Sequence, residues 1–211
     1  ETKYYAFQLN HMISQDLFYE LKYSMTDNYY GSYLFEDPLD AGYVHDAYFD
    51  SYGPGFLTGG QSKDHTVRKM IDKTFKFDVT WQANHNHSFK SGFHYFLHDL
   101  DNQWHAIRNK FHNTASDSIY EPIIFGDTSA YADVYRVKPK EVAFYIQDKM
   151  EFDDMVINIG ARYDQFDPES VYPSDRRNPA NQLILPDSMT SSYPQAPIIE
   201  QVSPRVGFAY Q

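Results

Sequence analysis

The sequence predicts an all-β chain, a segment of an antiparallel transmembrane β-barrel, on three observations. The stretch 138–168 holds two runs that alternate apolar and polar residues around a very short acidic turn. Similar runs recur along the chain at about ten residues each, the length that crosses a bilayer when a strand is tilted. Tight turns and long irregular connections join these runs in alternation, as outer-membrane barrels alternate short turns at one rim with long loops at the other.

A strand has period two, so its side chains divide between two faces. In 155–164, Met155, Ile157, Ile159, Ala161 and Tyr163 fall on one side, with Val156, Asn158, Gly160, Arg162 and Asp164 on the other. The preceding run opposes Val142, Phe144, Ile146 and Met150 to Tyr145, Gln147, Lys149 and Glu151. A greasy face backed by a charged one suits a wall between lipid and a water-filled interior.

Earlier in the chain, 2–13 reads as a strand that ends at the polar turn Ser14-Gln15-Asp16. The run 17–26 sets Leu17, Tyr19, Leu21, Tyr23 and Met25 against Phe18, Glu20, Lys22 and Ser24. The run 73–83 sets Phe75, Phe77, Val79 and Trp81 against Lys76, Asp78, Thr80 and Gln82. A turn at 84–87 leads to 89–99, where Phe96 interrupts the polar face. The last strand, 203–211, opposes Val206, Phe208 and Tyr210 to Arg205, Gly207 and Ala209. Long loops are expected over about 27–71, 100–137 and 167–202, the third too rich in proline for ladder interior. A soluble sandwich also alternates, but its connections are short at both ends.

Composition narrows the function. Aromatic residues make up 18% of the chain, and its 19 tyrosines carry the apolar ring and polar tip suited to membrane interfaces. A mean hydropathy of -0.62 does not oppose a barrel, since only alternate strand residues meet lipid. A net charge of -11 leaves no basic stripe for nucleic acid. With no cysteine, neither disulfides nor thiolate metal sites are available. No run of about 18 apolar residues offers a spanning helix. About seven strands leave two open edges, which lipid does not tolerate, and no export signal is visible. The sequence is therefore expected to be an internal piece of one larger barrel domain covering 1–211 and more.

Two segments narrow the class. The hairpin 143–149 with Asn158-Ile-Gly-Ala-Arg-Tyr-Asp-Gln-Phe-Asp-Pro resembles the mid-to-late barrel of TonB-dependent outer-membrane receptors. Ser203-Pro204-Arg205-Val206-Gly207-Phe208 looks like the motif that opens their next strand. The resemblance implies a bacterial outer-membrane receptor built on a barrel of about 22 strands. It also implies a plug domain, absent from these residues, that couples the barrel to an inner-membrane energising complex. Uptake of a bulky nutrient (siderophore, haem, cobalamin, oligosaccharide or peptide) would be its role. A passive porin-like barrel and a structural or adhesin protein are the alternatives. Expected partners are outer-membrane lipid, the rest of the barrel and plug, and other outer-membrane or surface proteins; no nucleic acid, cofactor or enzymatic activity is expected.

Candidate site residues follow from the two faces. Asn158, Arg162, Asp164 and Arg205 are expected on the lumen wall, where Arg162 and Asp164 form an ion-pair lattice or contact plug and substrate. Gly160 is expected at a close-packing position. Tyr29, Tyr30, Tyr33, Tyr43, Tyr48 and Tyr52 give the first loop an aromatic density suited to ligand contact. The competing reading is that they pin the loop to its neighbours. His85 and His87 could share a face, whereas His94 and His98, about 13 Å apart along a strand, are too distant to ligate one metal. No nucleophile elbow, zinc-protease helix or phosphate loop appears, so no catalytic or metal residue is assigned.

Overall fold

The computed structural model describes residues 1–45, 60–182 and 189–210. Ten strands are present: β1 (Thr2–Met12), β2 (Leu17–Ser32), β3 (Asp64–Gln82), β4 (His87–Ala106), β5 (Arg108–Asn109), β6 (Pro122–Ile123), β7 (Ala132–Val137), β8 (Lys140–Phe152), β9 (Met155–Asp167) and β10 (Ile199–Tyr210). Eight of them form one antiparallel sheet in the order β1-β2-β3-β4-β8-β9-β10, with β7 also on β4. Strand β4 pairs β8 from His87 to Leu97 and β7 from Leu100 to His105, so β7 and β8 act as one stave broken at Lys138-Pro139. Pro139 has no N–H to give the ladder, and its carbonyl accepts from His98 N at 3.0 Å. The sheet is an unbroken meander that does not close within these residues.

Register aligns the alternating runs. Leu9, Leu21, Phe77, Phe93, Phe144, Tyr163 and Val202 stand opposite one another in a single cross-strand row. The next row on the other face is Asn10, Glu20, Asp78, Gly92, Tyr145, Arg162 and Ser203. A one-residue slip in any strand would exchange the two faces, so the apolar pattern fixes the register. The apolar face stays open: Phe144 is 50% and Ile146 59% exposed. Ring contacts nevertheless run along it, Phe93 lying 4.9 Å from Phe144 and 6.2 Å from Phe75.

The turns at one rim are short. Asp153-Asp154 alone joins β8 to β9, and Asn84 Oδ1 accepts from the amides of Asn86 and His87 at 2.9 and 3.0 Å. At the other rim the ladders reach farther than the loop bounds 27–71, 100–137 and 167–202 anticipate. Strand β2 continues through Ser32, β3 begins at Asp64, β4 runs to Ala106, β7 begins at Ala132 and β10 at Ile199. Beyond the apolar rows the rungs carry polar residues on both faces, with His65, Thr66 and Asn102 buried among them, so backbone pairing continues without alternating hydropathy.

Apart from Ala143 in β8, the buried apolar side chains among the described residues lie near the loop rim. Ile107 is 1% and Tyr43 3% exposed, and Ala106 and Ala180 are also buried. Lys63 joins two loops there: its carbonyl accepts from Ile107 N at 2.7 Å, and its ammonium donates to Tyr120 Oη at 2.8 Å. Strands β5 and β6 pair within the second long connection.

Candidate functional site

The polar face gathers residues from six successive staves. A cavity of about 660 Å³ is lined by side chains from β2 through β10, among them Lys22, Asp78, His94, Tyr145, Asn158 and Arg205. One cavity shared across so many neighbours requires the sheet to curve toward this face.

At its centre is a node built on a glycine. Gly92 lies opposite Asp78 on one side and Tyr145 on the other. A Cβ there would collide with the Asp78 carboxylate and stand 2.5 Å from the Tyr145 ring. Glycine lets the tyrosine lie flat across β4 and donate its hydroxyl to Asp78 Oδ1, spanning two strand spacings. The same carboxylate oxygen is 3.3 Å from His94 Nε2. Gly160 repeats the device against backbone, since a Cβ would lie 2.8 Å from the Ile146 carbonyl oxygen.

The four lumen-wall candidates fall on this face. Arg162 Nε donates to both oxygens of Asp164, at 2.8 and 3.0 Å, as the i, i+2 spacing of a strand permits. Arg205 stands opposite Gly160, and Asn158 opposite Gly207. His94 and His98 each meet a β3 carboxylate: His98 Nδ1 is 2.6 Å from Asp72 Oδ1, and its Nε2 is 3.7 Å from Glu141 Oε1. His87 Nδ1 is 2.7 Å from Asp148 Oδ2 on the opposite, apolar face, while His85 is exposed in the turn. Sequence reasoning missed the Gly92–Asp78–Tyr145 node. Its one visible signal was a tyrosine, Tyr145, among the wet-face residues of its strand.

The aromatic loop candidates separate. Tyr30 is 55% exposed on the polar face, close below the loop rim. Tyr33 stacks on His65 at 4.9 Å and shares a hydrogen bond with Tyr29, which pushes the Tyr33 phenol above its ordinary value. Tyr43 is buried, edge-on to Phe35 at 4.9 Å, with Lys63 5.2 Å from its ring centre. Its ring pins the loop, the competing reading for these tyrosines. Tyr48 and Tyr52 lie outside the described residues.

Charges also mark where the apolar rows end. Asp99, one position beyond them on the outward face of β4, accepts from Arg136 Nε at 2.8 Å and Nη2 at 2.7 Å. This hydrogen-bonded pairing with Arg136 holds the Asp99 carboxyl below the usual carboxylate value.

An antiparallel meander with an apolar outer face, a charged concave face and long loops at one rim defines the wall of an outer-membrane β-barrel. The family described as TonB dependent receptor-like, beta-barrel, matches residues 1–211. The chain belongs to that family. No curated protein matches the sequence.

Proposed function

We propose that this wall serves a receptor that imports a bulky nutrient across the outer membrane, with energy delivered from the inner membrane through a plug domain. The observation that carries the reading is the pairing of faces. An unbroken apolar row lies opposite a concave, charged cavity, in a chain matched along its whole length by a receptor family. Lipid takes the outer face, the loops receive the ligand, and the charged face lines its path. Tyr29, Tyr30 and Tyr33 are the loop-rim side chains proposed for ligand contact, and Asn158, Arg162, Asp164 and Arg205 those proposed for the lumen wall.

Deleting the gene in its host and following growth on single nutrient sources tests the proposal. Loss of growth on one nutrient is expected, reproduced when the inner-membrane energising complex is inactivated. Uptake that survives inactivation of that complex would assign a passive porin. A deletion that impairs surface adhesion or envelope integrity, with every uptake rate unchanged, would assign a structural role.

A further inference from the structure

We propose that the concave face is an anion site centred on Lys22 and Lys76, and that the nutrient it serves carries carboxylate or phosphate groups. The inference rests on the transport reading and adds the charge of the substrate.

Lys22 and Lys76 stand directly opposite each other in the β2–β3 register and line the same cavity. Like charges in that arrangement repel across the ladder and destabilise the sheet. Among the described residues neither makes an ion pair or a side-chain hydrogen bond that would offset the repulsion; Lys76 only approaches the Phe96 ring, at 5.6 Å from its centre. Lys90 and Arg205, two rows away on the same face beyond the Glu20–Asp78 row, line the cavity and are likewise without ion pairs among the described residues. Arg162, the fifth cation of the lining, is neutralised by Asp164, which leaves four unpaired cations against the two carboxylates of Glu20 and Asp78. Asp78 is already occupied by Tyr145 and His94.

This imbalance runs against a chain whose net charge is -11. Acidic residues dominate elsewhere, including the loop-side part of this face where Asp72, Glu141 and Asp164 stand, so the cationic excess is local to the cavity lining. A concave wall of low dielectric concentrates such a field and raises the local concentration of counter-ions. A cavity of about 660 Å³ accommodates a small polyanion and the lysine side chains that would close on it.

The test uses the full-length receptor in lipid nanodiscs with Gln8→Cys as reporter, since Gln8 stands directly opposite Lys22 in the register and no cysteine of these 211 residues competes. Modification rates are measured with a sulfonate-bearing and a trimethylammonium-bearing thiosulfonate reagent. Their ratio cancels any change in the thiol's own ionisation, because both reagents attack through the same thiolate. The anionic reagent is expected to react about tenfold faster. Lys22→Gln with Lys76→Gln should bring the ratio close to unity, and Lys22→Arg with Lys76→Arg should retain it. Citrate, as a probe polyanion, should protect the thiol from the anionic reagent more than sodium chloride of equal ionic strength; a neutral trisaccharide should not. Equal rates for the two reagents, a ratio unmoved by the glutamine pair, or a thiol closed to both reagents would each overturn the proposal. If uptake depends on energy but the ratio is unity, only the anion site fails; if the ratio holds while uptake is passive, only the energised reading fails.

Discussion

The wall and the loop rim of this protein are built on opposite solutions to the same problem. In the wall, Phe144 and Ile146 stand half open, and the one deeply buried apolar side chain among the described residues is Ala143. At the loop rim Ile107 and Tyr43 are sealed, and Lys63 is held between carbonyl, hydroxyl and aromatic partners. The wall is one layer thick and takes the bilayer as its second layer. The loops stand in water and must build a core of their own. Hydrophobic side chains therefore mean contact with lipid in one region and contact with each other in the other.

The largest expected effect breaks the wall while sparing the rim. Phe93→Arg, in the middle of the apolar row, should cost about 4 kcal/mol in chemical unfolding of the vesicle-embedded receptor. Asn10→Arg, on the opposite face beside Glu20, should change stability by no more than about 0.5 kcal/mol. Equal effects would show that the two faces do not meet different solvents. Next, Ile107→Ala should destabilise the loop assembly by about 3 kcal/mol, seen as faster hydrogen exchange in 107–131 with β8 and β9 unchanged. Exchange that rises in both regions would show one cooperative unit.

Gly92→Ala should cost about 1–3 kcal/mol, because the Tyr145 ring and the Asp78 carboxylate must both move. Tyr145→Phe alone should cost less, about 1 kcal/mol, since it removes the hydrogen bond to Asp78 and keeps the ring. The smallest effect concerns Asp99. Its carboxyl is lowered by Arg136, so the pair contributes stability that is fully present above pH 4 and lost as pH falls through the lower folded value. Exchange protection near Arg136 should fall progressively as pH drops below 4 and lose that dependence in Asp99→Asn. An effect of similar size at pH 6 would rule out this pair as its source.

Much of the wall was legible because lipid on one side and water on the other impose period two. Met155, Ile157 and Ile159 against Asn158 and Arg162 required no tertiary information. The extensions of β2 and β3 beyond residues 26 and 73 were not legible, since Asp27, Asn28, Lys69 and Arg68 meet water whichever face they occupy. The Arg162–Asp164 pair follows from spacing along one strand. The Tyr145–Asp78 bond joins residues on strands separated by β4, and only the register reveals it. The loop core was hidden for a related reason: Tyr43 and Ile107 have no common period, and their burial depends on how two long connections meet.

The broken stave sets a limit on mechanical failure. Were β7 peeled from β4 by a pull at the loops, the tear would run down six residues and arrive at Pro139. There the backbone offers no donor and holds β4 only through the Pro139 carbonyl, and the next ladder belongs to a separate strand anchored in the lipid-facing rows. A rip begun in the water-exposed fence has to be nucleated afresh to enter the membrane. The crease at residues 138–139 works as a tear-stop.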